Sequence, residues 1–327
     1  MIEAEDTLAF VSALEEQAPT SRFESLFQRP ELCLMFPAVG IPTAQGIELL
    51  EAVRDPARRG DLDEEGRMVA AYLDDLVQNR KPFERLLQDL RGKEAELLRS
   101  AFEKTREYLP ESCRLGSVRL VFLPIGYDFR TDEETVYIDP LAALQHGLVG
   151  IRKTLSHELH HIARYRLTGE NITMMRQDEG MRPRLLPDVF RKWSTWLEAE
   201  GIADCVWNIT DTDIPALRPA VERRRQQMAE YQRFLGDALA QFHTELAGSA
   251  ADGPVREAFP AELMTIAHPV GARMAGAITS GLGRPALVDC VGRPGTFLRR
   301  YNEAAKGQRL IEIDQSLLDW VERVLHL

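Results

Sequence analysis

The stretch that most constrains this chain is His157-Glu158-Leu159-His160-His161, an HE-x-x-H pattern. On an α-helix, residues i and i+4 lie one above the other on a single face. Both imidazoles can then aim at one cation, and the glutamate beside the first can reach water held there. Histidine is scarce, 7 in 327 residues, so chance predicts only about 0.02 such patterns in a chain of this composition. The flanking sequence favours a helix. Leu148 to Leu167 contains no proline, and Gly169 follows as a stop signal. Leu155, Leu159 and Ile162 share a face that, at about 100° per residue, lies opposite His157 and His161. The helix should bury its leucines and present its histidines. His160, three residues from His157, competes by spacing. Only the pair His157/His161 leaves Glu158 placed as a general base.

A catalytic zinc usually takes three protein ligands and keeps one position open. The third is expected from Trp196-Leu197-Glu198-Ala199-Glu200-Gly201-Ile202-Ala203-Asp204. Glu198 and Glu200 compete. Glu200 and Asp204 are i and i+4 and share a face, whereas Glu198 points nearly opposite Asp204. One helix can thus supply a ligand, Glu200, and a carboxylate that orients a histidine, Asp204 to His157. Gly201 is costly inside a helix and makes sense where another backbone comes close. Trp193, Trp196 and Trp207 fall near the same face and are expected to wall the site from water.

These two motifs resemble those of the gluzincin metallopeptidases, the thermolysin-like group. More narrowly, HE-x-HH followed by EG-x-A-D resembles zinc-dependent peptidase families of unassigned function. The resemblance covers roughly residues 115 to 305. It implies a Zn2+ cofactor held by His157, His161 and Glu200, with Glu158 as general base and Asp204 behind His157. It also implies a hydrogen-bond donor three residues before a glycine that opens a late helix. That place is usually a tyrosine and here is His268, in His268-Pro269-Val270-Gly271. No Gly-x-Met-x-Asn stretch, the motif of related aminopeptidases, occurs. The function implied is hydrolysis of peptide bonds by metal-activated water, with a peptide or protein substrate. Two other readings use the same residues: a zinc hydrolase of non-peptide amides or esters, and a non-catalytic metal-binding regulatory protein.

Composition bounds the partners. The net charge of −11 argues against nucleic acid. Arg223-Arg224-Arg225 is the exception and reads as the solvated face of a long helix near Leu217–Leu246. No apolar run approaches a membrane span, so no membrane partner is expected. The acidic start Met1-Ile2-Glu3-Ala4-Glu5-Asp6 lacks the features of a signal peptide. Cys33, Cys113, Cys205 and Cys290 show no short spacing and read as free thiols. Together these features predict a cytoplasmic protein.

The expected class is α+β and predominantly α-helical. Residues 1–110 read as an N-terminal helical region and 111–327 as a gluzincin-like metallopeptidase domain. Two runs, Ser117–Leu123 and Thr135–Ile138, read as strands around a turn-rich segment at Gly126-Tyr127-Asp128. Thr135–Ile138 is expected to form the edge strand of a small sheet ahead of the HE-x-x-H helix. Asp139-Pro140 should open a helix, with proline at its first position. The chain beyond the second motif is expected to be helical, with one helix opening at Pro269.

Overall fold

The computed structural model describes residues 1–170, 185–248 and 259–325. The chain divides into two compact units. One comprises Met1–Arg99 and Ser117–Arg152, the other Ser100–Gly116 and Lys153–Leu327.

The first unit carries helices α1 (Glu5–Glu15), α2 (Thr20–Leu26), α3 (Met35–Ala38), α4 (Thr43–Arg54), α5 (Pro56–Arg59) and α6 (Glu64–Gln78). It also carries most of α7 (Arg80–Arg106), which ends in the second unit. Its four short strands are β1 (Ile2–Glu3), β2 (Arg119–Phe122), β3 (Phe129–Thr131) and β4 (Thr135–Ile138). They form one sheet in the order β1-β2-β4-β3. β2 is parallel to both β1 and β4, and β3 is antiparallel to β4. The class is α+β and predominantly helical, as the periodicities imply. Thr135–Ile138 is not an edge strand, however. It is paired on both sides, and β3 forms that edge. A three-residue strand inside a turn-rich segment carries too little period-2 pattern to be seen in the sequence.

Asp139 closes this sheet onto the next helix, α8 (Pro140–Thr168). Its Oδ1 accepts from the Leu141 and Ala142 N–H groups, which caps the helix start. Its Oδ2 accepts from the Ile125 and Gly126 N–H groups and from the Tyr72 hydroxyl. α8 breaks at Gly147, whose φ of 58° and ψ of −178° only glycine adopts readily. The segment after the break carries the histidines. It ends before Gly169, where φ is +72°. Leu155, Leu159 and Ile162 are fully buried.

The second unit centres on α9 (Leu186–Val206). Every residue of α9 from Trp193 to Asp204 is buried, including Glu198, Glu200 and Asp204. Around it lie α10 (Arg218–Ala229), α11 (Tyr231–Gly248), α12 (Phe259–Leu282), α13 (Arg284–Val288), α14 (Pro294–Gln308) and α15 (Gln315–Leu325). The long helix expected near Leu217–Leu246 is two helices, divided at Glu230. Pro269 does not open a helix either. α12 begins ten residues earlier, at Phe259, and carries Pro269 in its interior. Proline lacks an N–H and so costs one helical hydrogen bond, which packing on both sides of α12 tolerates. No single described helix is long and apolar enough to cross a membrane. The bent pair Leu32–Ala38 and Thr43–Arg54 has the length and composition, but its Leu32, Met35, Phe36, Leu50 and Val53 belong to the core of the first unit.

α9 packs most extensively against α12, and two glycines allow it. A Cβ on Gly201 would lie 2.4 Å from the Gly271 carbonyl oxygen, and one on Gly271 would lie 2.5 Å from that of Leu197. Both distances are far below van der Waals contact. The close approach foreseen at Gly201 is therefore backbone against backbone. Gly201→Ala or Gly271→Ala should lower stability by about 1–3 kcal/mol or more. Gly276→Ala, on the same α12 with nothing within 4 Å, should be neutral or stabilising by up to about 1 kcal/mol. Thermal unfolding of the three variants checks this; equal melting temperatures would contradict it.

Candidate metal centre

α8 and α9 bring the two motifs together. His157 Nε2 and His161 Nε2 lie 3.1 Å apart. Glu200 Oε2 lies 3.3 Å from each of them. These three donor atoms are the one His/Cys/Asp/Glu group among the described residues that is compact enough to hold a metal ion. Their triangle can be compared with a zinc shell. Bonds of about 2.0–2.1 Å at tetrahedral angles place neighbouring donors about 3.3 Å apart. The observed edges of 3.1, 3.3 and 3.3 Å match that spacing. Glu200 Oε2 is buried and makes no hydrogen bond of good geometry among the described residues. A buried acceptor left so, beside two imidazole nitrogens, fits a cation.

The other residues singled out in the sequence fall around this triangle. Glu158 is buried, and its charge bears on His157. Asp204 Oδ1 lies 3.5 Å from His157 Nδ1, on the ring edge away from the triangle. His268 Nδ1 lies 3.3 Å from Glu200 Oε2 and 3.9 Å from Asp204 Oδ2. Its ring is nearly parallel to that of His157, with centroids 6.3 Å apart. Its side chain keeps 30% exposure, against 8% for Glu200, so His268 stands at the open side of the cluster.

Glu198 goes elsewhere. Its Oε2 accepts from Arg164 Nε at 2.8 Å and its Oε1 from the Gly292 N–H at 2.9 Å. His160 lies outside the cluster and is fully buried; burial holds its ring well below the ordinary histidine pKa. Trp196 stands edge-on to His268, with ring centroids 6.3 Å apart. Trp193 packs into an aromatic cluster with Phe190 and Phe242, and Trp207 is the residue that ends α9.

Arg223 and Arg225 are exposed, as expected of a solvated face, and Arg224 departs from them. It is not on a solvated face: its Nη1 is buried 3.7 Å from Asp204 Oδ2. The signal was present, since Arg224 sits three residues after Val221 and four before Met228, on the apolar stripe of α10.

The charges are strongly coupled. Burial disfavours a protonated His157, but the close approach of Glu200 and the charges of Glu158 and Asp204 outweigh it and raise its pKa to about 9. Burial likewise pushes the Glu200 carboxyl up, yet the attraction of His268 and His161 and the contact with His157 hold it well below the usual range. With no metal bound, His157 therefore keeps its proton at neutral pH.

A family model described as "Putative zinc dependent peptidase (DUF5700)" matches residues 36–309. The chain belongs to this family. The DUF5700 match spans α8, α9, α12 and every residue of the cluster. Zinc, the metal in the DUF5700 description, is also the metal that the His-His-Glu donor set fits. No curated protein and no solved structure matches the chain.

A histidine must be neutral to bind a metal. Because the His157 pKa is raised to about 9, zinc affinity should climb about tenfold per pH unit below that value. The same shift stabilises the metal-free fold fully below about pH 6.5, and that contribution disappears as pH rises through about 9. Competition titrations, and thermal melts in chelator, between pH 6 and about 9.5 test both trends. Flat profiles would contradict them.

Proposed function

We propose that this chain is a zinc metallopeptidase of gluzincin type, with His157, His161 and Glu200 as the metal ligands. One observation carries the reading: donor atoms from two helices form a triangle with zinc spacing, and a glutamate adjoins one of its histidines. The DUF5700 membership supports it from a different direction.

When bound, the ion supplies Lewis acidity and lowers the pKa of water at its open position to about 7. The chain's own residues do the rest. Glu158 takes the proton that water gives up on its carboxylate, and passes it to the amine nitrogen of the leaving group. Asp204 accepts from the Nδ1–H of His157, which leaves Nε2 as the donor and fixes the ring plane. Arg224 faces Asp204 and offsets its charge. His268, at the open side, donates to the oxygen that becomes negative as the carbonyl carbon turns tetrahedral. Trp196 buttresses the His268 ring. The substrate is a peptide or protein. A non-peptide amide or ester would need the same groups, and substrate profiling separates the two.

Glu158→Gln should keep zinc and lose hydrolysis by at least about 10²-fold; full turnover in that variant would remove Glu158 as the base. Glu200→Ala should abolish tight zinc binding. Asp204→Asn should weaken zinc affinity or activity about 10- to 100-fold. Elemental analysis and a peptide-library digest, with and without chelator, read all three. A Glu200→Ala protein that still holds stoichiometric zinc would contradict the ligand set.

A further inference from the structure

We propose that the buried Arg164–Glu198 ion pair is a positioning device for the metal centre. It fixes the rotation of α9 against α8, and with it the place of Glu200 opposite His157 and His161. The inference rests on the zinc reading above.

Both side chains are fully buried, and Arg164 Nε donates to Glu198 Oε2 at 2.8 Å. The second oxygen accepts the Gly292 N–H at 2.9 Å. Gly292 has φ +73°, and a Cβ there would lie 2.5 Å from Thr168 Cγ2. Thr168 Oγ1 in turn donates to the Arg164 carbonyl at 3.0 Å. Glu198 is thus held by α8 directly, and by a loop that is itself wedged against the end of α8.

Stability alone does not account for such a pair. Desolvation of a dry ion pair offsets most of its attraction, and apolar side chains of similar volume often do as well or better. Here Arg164 Nη1 and Nη2 are also buried and make no hydrogen bond among the described residues, and the Glu170 carboxylate at 3.7 Å from Nη2 is too far for one. What the pair supplies, and apolar packing does not, is direction.

Position on the helices explains why direction matters. Arg164 lies seven residues after His157, on the same stripe of α8 about 10 Å further along. Glu198 precedes Glu200 by two residues, about 200° around α9. α9 is therefore tied on both sides, by Glu200 at the metal and by Glu198 behind it. A helix held on one side can roll. A roll of about 10° carries a carboxylate about 5 Å from the axis through almost 1 Å. That is several times the tolerance of about 0.2 Å on a metal–ligand distance.

The test uses the full chain. Arg164→Met/Glu198→Met removes both charges without leaving either one buried alone. It should keep its helical circular dichroism and a cooperative melt. Its zinc affinity, by competition with a chromophoric chelator, should fall about 10- to 100-fold, and its cobalt(II) absorption should change shape. Arg164→Lys keeps the charge and loses the planar fork; it should show a smaller fall in affinity. Native affinity and a native cobalt spectrum in the folded double variant would overturn the proposal. If that variant does not fold, Arg164→Lys decides by the same readouts. His161→Ala is the control for the underlying reading. A wild-type protein that binds no zinc sinks the zinc reading itself. Zinc bound by wild type, lost in His161→Ala and kept in the double variant sinks this inference alone.

Discussion

Three lone-pair atoms aimed at one point repel unless a proton or a cation lies between them. His157 Nε2, His161 Nε2 and Glu200 Oε2 are so aimed, each within 3.3 Å of the other two. Much of the second unit can be understood as what holds them there. α8 sets the two histidines one turn apart. α9 brings the carboxylate, and it does so from a helix buried almost all round, where a charged group is costly unless it is paired. The backbone contact of Gly201 with Gly271 then presses α9 onto α12, the helix that carries His268.

Two glutamates on one helix have separate partners. Glu200 faces imidazole nitrogens, which bind a metal in their neutral form. Glu198 faces a guanidinium, which cannot lose its proton and so cannot leave that carboxylate uncompensated. Exchanging the two environments would put a permanent cation where a metal ion must enter. Asp204 lies between His157 and Arg224, a carboxylate that a ring N–H and a fixed positive charge can share.

The site was more legible in the sequence than the fold around it. HE-x-x-H and the Glu200/Asp204 spacing are short-range patterns, and helical geometry alone decides which side chains share a face. The close approach at Gly201 was legible for the same reason, since a glycine inside an apolar helix needs a cause. What failed depended on distant partners. β1 pairs with β2 across more than a hundred residues of chain, and two residues carry no period. β3 hid among turn residues, which moved the expected sheet edge onto β4. Pro269 reads as a helix start by local rule and lies mid-helix because α12 is packed on several sides. Three consecutive arginines suggest solvent, although the offset of Arg224 from Val221 and Met228 places it inward. The ion pair of Arg164 with Glu198 could not be foreseen, because nothing local says which buried carboxylate a buried arginine will meet.

X-ray absorption at the zinc edge of the metal-loaded protein tests the central claim most directly. The account predicts two imidazole nitrogens and carboxylate oxygen at about 2.0–2.2 Å, no sulfur, and one further light atom from water. A shell closed by a fourth protein ligand, or one with a sulfur at about 2.3 Å, would contradict it.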